Sequence, residues 1–436
     1  MADSRSLKNV ATHAPAPSAA LAAMCTPAPA SHASTRLEAR LLQPNDDVAT
    51  ALFDLAAGAA IRVANGPLVH ELTLQEDIRV GHKFAVRALA AGLRIRKYGE
   101  FIGRMTCDVP AGAWVHVHNL ATSSRHSTLH ERAWYEQAPA PGGIRALGEP
   151  RCCVGESPVF DLDTNRLYWV DVRETPAIHM IELRSGAGQS WPMTEDVGSI
   201  ALAGHNRLLV ALRSGFAFFD CTTGALTPIL DPEPAMPQTR LNDGKCDPLG
   251  RFWCGSMNPD SGIAEGSIYV LDADLRCRHV LPDWLTPNGM TWSLDGATMF
   301  VADTRRGFIH AFAFDPATGT LGERRVFADL GAFPGGPDGA TIDCEGYLWS
   351  AQFEGGCLIR YAPDGSMERV IRLPVSKPAS CAFGGAGYRQ LFVSTATRGL
   401  SDQRLRAEPL AGSILVLDVG VAGVPPVAFA HSGVTR

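Results

Sequence analysis

The stretch that decides the fold reads Val154-Gly155-Glu156-Ser157-Pro158-Val159-Phe160 and continues, after a turn, as Arg166-Leu167-Tyr168-Trp169-Val170-Asp171. Aromatic and β-branched residues dominate its second half, and this composition is typical of a β-strand. A single carboxylate, that of Glu156, lies just ahead of the apolar strand pattern. Glu156 is therefore the first candidate for a functional residue.

The same pattern recurs after residue 150, where a turn with Asp, Asn or Gly is repeatedly followed by a short apolar strand. The equivalent positions in the six copies are Leu167, Leu208, Phe252, Met299, Leu348 and Leu391. Successive copies lie 41 to 49 residues apart, and such a repeat with about four strands per copy is typical of a propeller blade. Helical solenoids share this period, but frequent Gly and Pro and the lack of long 3.6-residue periodicity argue against them. The pattern predicts an all-β six-bladed β-propeller.

Length, charge and composition bound the class of protein. A chain of 436 residues exceeds one ordinary core of roughly 100 to 200 residues, which favours either two folded units or a repeat architecture with an extra domain. A net charge of -6 without a dense Lys/Arg block argues against nucleic-acid binding. No apolar run approaches the roughly 18 to 20 residues that cross a membrane, and the 11 scattered cysteines resemble neither a disulfide framework nor a metal site. We predict a cytoplasmic protein that binds neither nucleic acid nor membrane.

Shifts in composition divide the chain. An Ala-, Pro- and Ser-rich start predicts disorder, and a Pro- and Gly-rich stretch in the middle predicts a linker. The predicted segments are a disordered leader (1–38), a small mostly-β domain (39–122), a linker (123–147), the propeller (148–425) and a tail (426–436).

The small domain has its own local signals. Helical periodicity over 49–57, after acidic start residues, predicts a helix, while 61–63 and 68–72 predict strands around a turn. Strict alternation in the segment Trp114 to Asn119 predicts one strand with His116 and His118 on the same face. Two such histidines could share a metal or an anionic ligand, or could simply face solvent on a half-buried strand.

Acidic and amide residues recur in predicted loops near the start of several blades. They are Glu156, Asn242, Asp243, Asn288 and Asp338. Taken singly, Asn-Gly and Asp-Gly pairs are ordinary tight turns. Together, however, Glu156, Asn288 and Asp338 would supply two carboxylates and an amide, which suits one divalent cation such as Ca²⁺, Mg²⁺ or Mn²⁺; Zn²⁺ remains open.

Residues 148–425 resemble the gluconolactonase and regucalcin (senescence marker protein) family of six-bladed propellers. The matching motifs are Gly155-Glu156-Ser157-Pro158-Val159, Arg240-Leu241-Asn242-Asp243-Gly244-Lys245, Asn288-Gly289-Met290-Thr291-Trp292-Ser293, Pro337-Asp338-Gly339 and Lys377-Pro378-Ala379-Ser380-Cys381-Ala382-Phe383-Gly384-Gly385. The resemblance implies hydrolysis of a sugar lactone. It implies that Glu156, Asn288 and Asp338 are metal ligands.

The same resemblance implies substrate contacts for Arg240 and Asn242, with Asp243 beside them. Asp260 stands where some relatives carry a substrate-contacting glutamate. A cation would polarise the lactone carbonyl, and Asp338 is the candidate catalytic residue that moves the proton of the attacking water. A serine hydrolase is disfavoured because Gly155 to Val159 has only half of a GxSxG elbow.

Residues 39–122 resemble the SAF-type domain of altronate and galactarate dehydratases. The resemblance rests on Pro44-Asn45-Asp46-Asp47-Val48-Ala49, Gly81-His82-Lys83, Lys97-Tyr98-Gly99, Ile102-Gly103 and His116-Val117-His118-Asn119. It adds His82 to the candidate histidines. No part of this chain resembles the large dehydratase domain of that family. Two functions follow: an aldonolactonase of sugar-acid catabolism, or a small-subunit or scaffold module for a separate large dehydratase chain, with a propeller that binds metal or ligand without turnover.

Overall fold

The computed structural model describes residues 38–41, 43, 45–65, 68–97, 100–121, 143–331 and 333–431. The predicted leader, apart from its last residue, and most of the predicted linker lie outside these ranges. The described residues belong to one compact unit. No helix in these ranges is long and apolar enough to cross a membrane.

Two small sheets form the N-terminal part of the described chain. The strands are β1 (Ala39–Arg40), β2 (Val48–Ala51), β3 (Ala60–Asn65), β4 (Leu68–Thr73), β5 (Lys83–Ala85), β6 (Arg94–Lys97), β7 (Glu100–Met105), β8 (Trp114–Val115) and β9 (Leu120–Ala121). One sheet has the order β4-β3-β1-β2-β5-β8 and the other β6-β7-β9. The strands predicted at 61–63 and 68–72 are β3 and β4, which pair antiparallel.

The helix predicted over 49–57 is wrong, because this segment begins as strand β2. Ala49 lies opposite Phe84 in the pairing of β2 with β5. The Asp47 carboxylate accepts a hydrogen bond from the backbone N of Arg96 at 2.7 Å, and the Asp47 carbonyl accepts one from Val86 at 3.1 Å. These long-range contacts attach Asp47, one of the acidic residues that suggested a helix start, to neighbouring strands. Tertiary pairing therefore overrides the local helical pattern.

The rest of the described chain forms six four-stranded antiparallel sheets. Their strands are β10 (Ile144–Ala146), β11 (Gly155–Asp161), β12 (Arg166–Asp171), β13 (Ala177–Glu182), β14 (Gly188–Pro192), β15 (Val197–Leu202), β16 (Arg207–Leu212), β17 (Gly215–Asp220), β18 (Leu226–Leu230), β19 (Arg240–Cys246), β20 (Phe252–Met257), β21 (Gly266–Leu271), β22 (Cys277–Trp284), β23 (Pro287–Trp292), β24 (Thr298–Asp303), β25 (Phe308–Asp315), β26 (Thr320–Asp329), β27 (Gly336–Ile342), β28 (Leu348–Phe353), β29 (Cys357–Tyr361), β30 (Met367–Arg372), β31 (Pro378–Gly384), β32 (Gln390–Thr395) and β33 (Leu415–Asp418). A 3-10 turn (Ala386–Tyr388) and a short helix, α1 (Asp402–Ala407), lie in the last sheet's loops.

The repeated apolar positions all fall on the second strand of a sheet, where they are buried. They are Leu167 on β12, Leu208 on β16, Phe252 on β20, Met299 on β24, Leu348 on β28 and Leu391 on β32. Alternating side chains of these strands form the clusters that fill the space between neighbouring sheets. The described chain is thus an all-β protein built mainly of four-stranded sheets, as in a β-propeller.

One strand at the end of each sheet, here called its first strand, contacts the first strand of the next sheet. The first strands are β11, β15, β19, β23, β27 and β31, and β31 in turn contacts β11. The last sheet combines both ends of the repeat region, because β10 pairs with β33 in the order β10-β33-β32-β31. In that pairing Ile144 lies opposite Leu417 and Ala146 opposite Leu415. One strand from before the first sheet therefore completes the last one.

Candidate active site

The candidate side chains lie on the first strands of four sheets, each at an irregularity in the pairing. The register of β11, β23 and β27 with the next strand shifts directly after Glu156, directly after Asn288 and at Asp338. Strand β19 has the same shift at Asn242 and Asp243. A β-bulge re-aims the side chains at the inserted residue. The prediction that these residues lie in loops is wrong, because their Asn-Gly and Asp-Gly pairs form bulges inside strands.

Two of these strands approach each other closely. Gly289 on β23 has φ +58°, and a Cβ atom there would lie 2.6 Å from the backbone oxygen of Asp338 on β27. Only glycine fits this conformation and this distance without strain. The approach brings the backbone that carries Asn288 next to the backbone that carries Asp338.

An unbalanced group of carboxylates surrounds this contact. Burial, and next the negative charge of Asp243, raises the pKa of Glu156. Burial, and next the charges of Glu156 and Asp243, raises the pKa of Asp338 well above its usual range. The Arg240 guanidinium opposes both shifts without cancelling them. Burial and mutual repulsion both disfavour the charged forms of these carboxylates, which favours either protonation or a bound cation.

The two asparagine amides of this group form a continuous row of hydrogen bonds with a guanidinium at one end and a hydroxyl at the other. Arg240 Nη1 donates to Asn242 Oδ1 at 2.9 Å, and Asn242 Nδ2 donates to Asn288 Oδ1 at 2.7 Å. Asn288 Nδ2 donates to Thr304 Oγ1 at 2.7 Å, and this hydroxyl donates to the Pro337 carbonyl at 2.7 Å. The row fixes the orientation of the Asn288 amide and ends next to Asp338.

Sequence reasoning missed Thr304. It directly follows β24, and a threonine in a turn gives no signal of its own. Only the fold places its hydroxyl between Asn288 and Pro337.

Two further charged side chains, those of Asp243 and Lys245, lie near this group. Burial raises the pKa of Asp243 and lowers that of Lys245, while each charge opposes the shift of the other. Asp243 Oδ2 also accepts a hydrogen bond of 3.4 Å from the Met290 backbone N. Both side chains line a cavity of about 300 Å³ along the first strands, to which Pro426 and Val427 of the predicted tail also contribute.

Asp260 lies apart from the buried group. It occupies the loop between β20 and β21, and its side chain is 77% exposed. It forms an ion pair with Arg173, with 3.9 Å from Asp260 Oδ1 to Nη1. The structure therefore places Asp260 on an exposed loop.

The predicted strand carrying His116 and His118 is wrong. Strand β8 ends at Val115, and Asn119 Oδ1 accepts a hydrogen bond of 2.9 Å from the His116 backbone N. This side chain closes a turn, and the two histidines cannot share a strand face. Their rings nevertheless both lie near the Trp114 ring, with centroids 5.0 and 5.1 Å away.

His82 belongs to the same aromatic group. Trp114 Nε1 donates to His82 Nδ1 at 3.1 Å, and the rings of His82 and His116 stack with centroids 5.5 Å apart. The three predicted histidines therefore meet around one tryptophan of the N-terminal part.

The chemistry of the donor set fits a hard divalent cation. Among the described residues, no three His, Cys, Asp or Glu side chains form a metal-binding cluster, but the predicted set has two carboxylates and an asparagine. Asp338 Oδ1 is buried and has no hydrogen-bond partner among the described residues. A buried carboxylate oxygen normally has a partner, and a cation held by Glu156, Asn288 and Asp338 would supply one.

Comparison with known proteins agrees with this fold. Residues 154–397 match the SMP-30/gluconolactonase/LRE-like region, more than half of the chain. This chain belongs to the SMP-30/gluconolactonase family. Residues 39–123 match the altronate/galactarate dehydratase SAF domain, so both family resemblances are confirmed.

Relatives within the SMP-30/gluconolactonase family match over nearly their whole length. Regucalcin of Gallus gallus is 34% identical over 294 residues, which are 66% of this chain and 98% of regucalcin. L-arabinolactonase of Azospirillum brasilense is 36% identical over 301 residues, 68% of this chain and 98% of that enzyme. The solved structure of a calcium-binding regucalcin from Agrobacterium tumefaciens has a TM-score of 0.64 and 29% identity, and covers 67% of this chain and 98% of that one.

Proposed function

We propose that the protein is a divalent-metal-dependent lactonase that opens a sugar lactone to the free sugar acid. In this proposal the six four-stranded sheets are the blades of one six-bladed propeller, fused to a SAF-like domain (39–122). The propeller predicted at 148–425 then also includes β10 (Ile144–Ala146), which lies in the predicted linker (123–147) and pairs into the last sheet. The observation that carries the proposal is the unpartnered, buried Asp338 Oδ1 within a group of mutually repelling carboxylates. L-arabinolactonase, a relative with 36% identity, supports the reaction class, and cytoplasmic sugar-acid catabolism is the setting that we infer.

Glu156, Asn288 and Asp338 would hold the cation. Ca²⁺ is supported by the calcium-binding regucalcin structure, and the oxygen-only donor set equally suits Mg²⁺ or Mn²⁺. When bound, the cation would polarise the lactone carbonyl as a Lewis acid. The amide row from Asn242 to Thr304 holds Asn288 in one orientation.

The chain's own residues supply the remaining chemistry. Asp338 accepts a proton from the water that attacks the lactone carbonyl carbon, and returns it to the ring oxygen when the ring C–O bond breaks. Arg240 Nε is buried without a hydrogen-bond partner among the described residues, although it lies 3.7 Å from Asp196 Oδ2. In this proposal the Arg240 guanidinium donates to a lactone oxygen. Because Asn242 Nδ2 already donates to Asn288 and Pro287, Asn242 acts mainly by holding its neighbours. Asp260, on its exposed loop, would contact the outer part of the sugar.

A panel of aldono- and aldarolactones, read with a pH indicator with and without chelator, tests the proposal. We expect acid release above the spontaneous rate, loss of this release with chelator, and a decrease of about 10²- to 10⁴-fold for Asp338→Asn. Asp274→Asn is the matched control, because Asp274 is an exposed carboxylate that pairs with Arg276. No turnover of any lactone would refute the enzyme, and activity that survives both chelation and Asp338→Asn would refute the mechanism.

The alternative proposal is a small-subunit or scaffold role for a separate large dehydratase chain. The match of residues 39–123 to the dehydratase SAF domain favours it, and the grouping of His82, His116 and His118 around Trp114 gives that domain a candidate ligand surface. Co-purification with such a chain, together with no lactone turnover, would support this alternative over the lactonase.

A further inference from the structure

The N-terminal domain and the propeller share a hydrophobic core. Leu285, two residues before β23, is only 1% exposed. It lies in the same buried cluster as Leu89, Leu93 and Val109 of the N-terminal domain. A propeller residue that completes another domain's core cannot leave it without exposing apolar surface. The segment that leads to Asn288 is therefore held by the N-terminal domain.

A buried arginine of the N-terminal domain holds the segment that leads to Asp338. The Arg94 side chain is 3% exposed, and its guanidinium stacks on the Phe101 ring at 3.6 Å. Arg94 Nη2 donates to the Phe333 carbonyl at 2.6 Å, and Nη1 donates to the Gly335 carbonyl. A planar guanidinium can hold two carbonyls at once in a fixed relative position. Arg94 thus fixes a loop that ends three residues before Asp338.

The loop that carries Asp260 is attached in the same way. The Ala90 backbone N donates to the Gly262 carbonyl at 3.2 Å. Arg305, which follows β24, donates to the carbonyls of Pro259 and Ser261 on either side of Asp260. The backbone N of Arg94 donates in turn to the Arg305 carbonyl at 3.3 Å.

A fourth contact reaches the last two sheets. Arg96 forms an ion pair with Glu354, in the loop after β28. Glu354 also pairs with Lys377, directly before β31, at 3.5 Å. Burial raises the pKa of Glu354, but the charges of Arg96 and Lys377 outweigh it and hold this pKa below its usual value.

We infer that the N-terminal domain is a working part of the lactonase site, in which Arg94 is a positioning residue for Asp338. This inference rests on the proposed lactonase function. Three of these four contacts lie on the segments that carry or precede Asp260, Asn288 and Asp338. Arg94 acts through the Gly335 and Phe333 carbonyls and does not touch the substrate. Its loss should lower the rate of the chemical step more than substrate affinity.

The test compares the full chain with Arg94→Gln, Arg94→Lys and a matched control, Arg62→Gln. Arg62 lies in the same domain, but its side chain is 68% exposed and pairs with Glu71 at the surface. Lysine keeps the charge of Arg94 but presents a point charge in place of the planar fork. Two quantities are measured: kcat and KM for an active lactone, and backbone hydrogen exchange in the peptide 333–342.

For Arg94→Gln we expect kcat to fall by about tenfold or more, KM to stay within about twofold, and exchange in 333–342 to accelerate. Arg94→Lys should be intermediate, and Arg62→Gln should match the unmodified protein. Unchanged kcat and unchanged exchange in Arg94→Gln would overturn the inference. If that variant does not fold, Arg94→Lys decides by the same criteria.

Failure of the proposed function can be told apart from failure of this inference. If the unmodified chain opens no lactone, the proposed function is refuted. The hydrogen-exchange data alone then test whether Arg94 positions the segment 333–342. In that case, unchanged exchange in 333–342 overturns the inference, and accelerated exchange in the Arg94 variants but not in Arg62→Gln supports it.

Discussion

Protonation of single carboxylates should control how the site binds a cation. Burial, with the charge of Asp243, raises the pKa of Glu156 to about 8, so Glu156 without a cation is mostly protonated at pH 7. A carboxylate must lose its proton to bind a cation. Affinity for Ca²⁺ or Mg²⁺ should therefore rise as the pH increases from about 6 towards about 8.

Calorimetric titration at pH 7 in two buffers with different ionisation enthalpies measures the protons released by this binding. We expect net release in the unmodified protein and less release in Glu156→Gln, which has no proton to lose at that position. Cation binding without any proton release would contradict the raised pKa values of Glu156 and Asp338.

Residue types could be predicted from the sequence, but their hydrogen-bond partners could not. Glu156, Asn288 and Asp338 are recognisable because oxygen donors recur at the same phase of a repeat. The partners of Asn288, by contrast, are Asn242 and Thr304, which lie 46 and 16 residues away along the chain. Such partners depend on which strands become neighbours, and local pattern does not contain that information.

Among single elements, the contact between β23 and β27 depends on the absence of a side chain at Gly289. Gly289→Ala should lose unfolding free energy for two reasons: φ is +58°, and the new Cβ would lie 2.6 Å from the Asp338 backbone oxygen. Gly186→Ala is the matched control, since Gly186 has φ +72° but nothing within 4 Å of its Cβ. The control should lose only the left-handed backbone cost, about 1–2 kcal/mol.

Denaturant unfolding and cation titration of both variants separate these two effects. We expect Gly289→Ala to lose clearly more unfolding free energy than Gly186→Ala and to weaken cation binding, because Asp338 must shift. Equal losses in the two variants would mean that β23 and β27 are not held at this distance.

Strands that read as short apolar runs between turn residues were predicted well, and elements closed by side chains were not. The repeated strands β12 and β20 are buried along nearly their whole length, and a short apolar run bounded by turn residues is typical of such a strand. The segment after Val115 alternates, yet the Asn119 side chain turns it. The helix predicted at 49–57 was lost to the long-range bonds of Asp47. Local patterns fail where a polar side chain replaces a backbone partner.

Across the whole molecule, the joining of the two family regions could not be predicted. Leu285 looks like any apolar residue before a strand, and Arg94 looks like any surface arginine, because 239 residues separate Arg94 from its Phe333 partner. Only the fold reveals that Leu285 completes the core of the N-terminal domain and that Arg94 holds the loop before Asp338. Domain boundaries read from composition therefore say little about how strongly the domains depend on each other.

The closure of the last sheet leads to a prediction for the whole repeat region. Strand β10 covers the edge of β33, and Leu147 continues the contact by donating to the Ile414 carbonyl at 2.9 Å. Two shortened chains, one beginning at Gly143 and one at Gly148, both lack the N-terminal domain, but only the second lacks β10. The second should unfold at a Tm lower by at least about 2–4 °C, the shift that corresponds to roughly 1 kcal/mol, and should self-associate through the exposed β33 edge. Thermal unfolding with light scattering measures both quantities, and identical Tm and scattering in the two chains would show that β10 does not hold the ring closed.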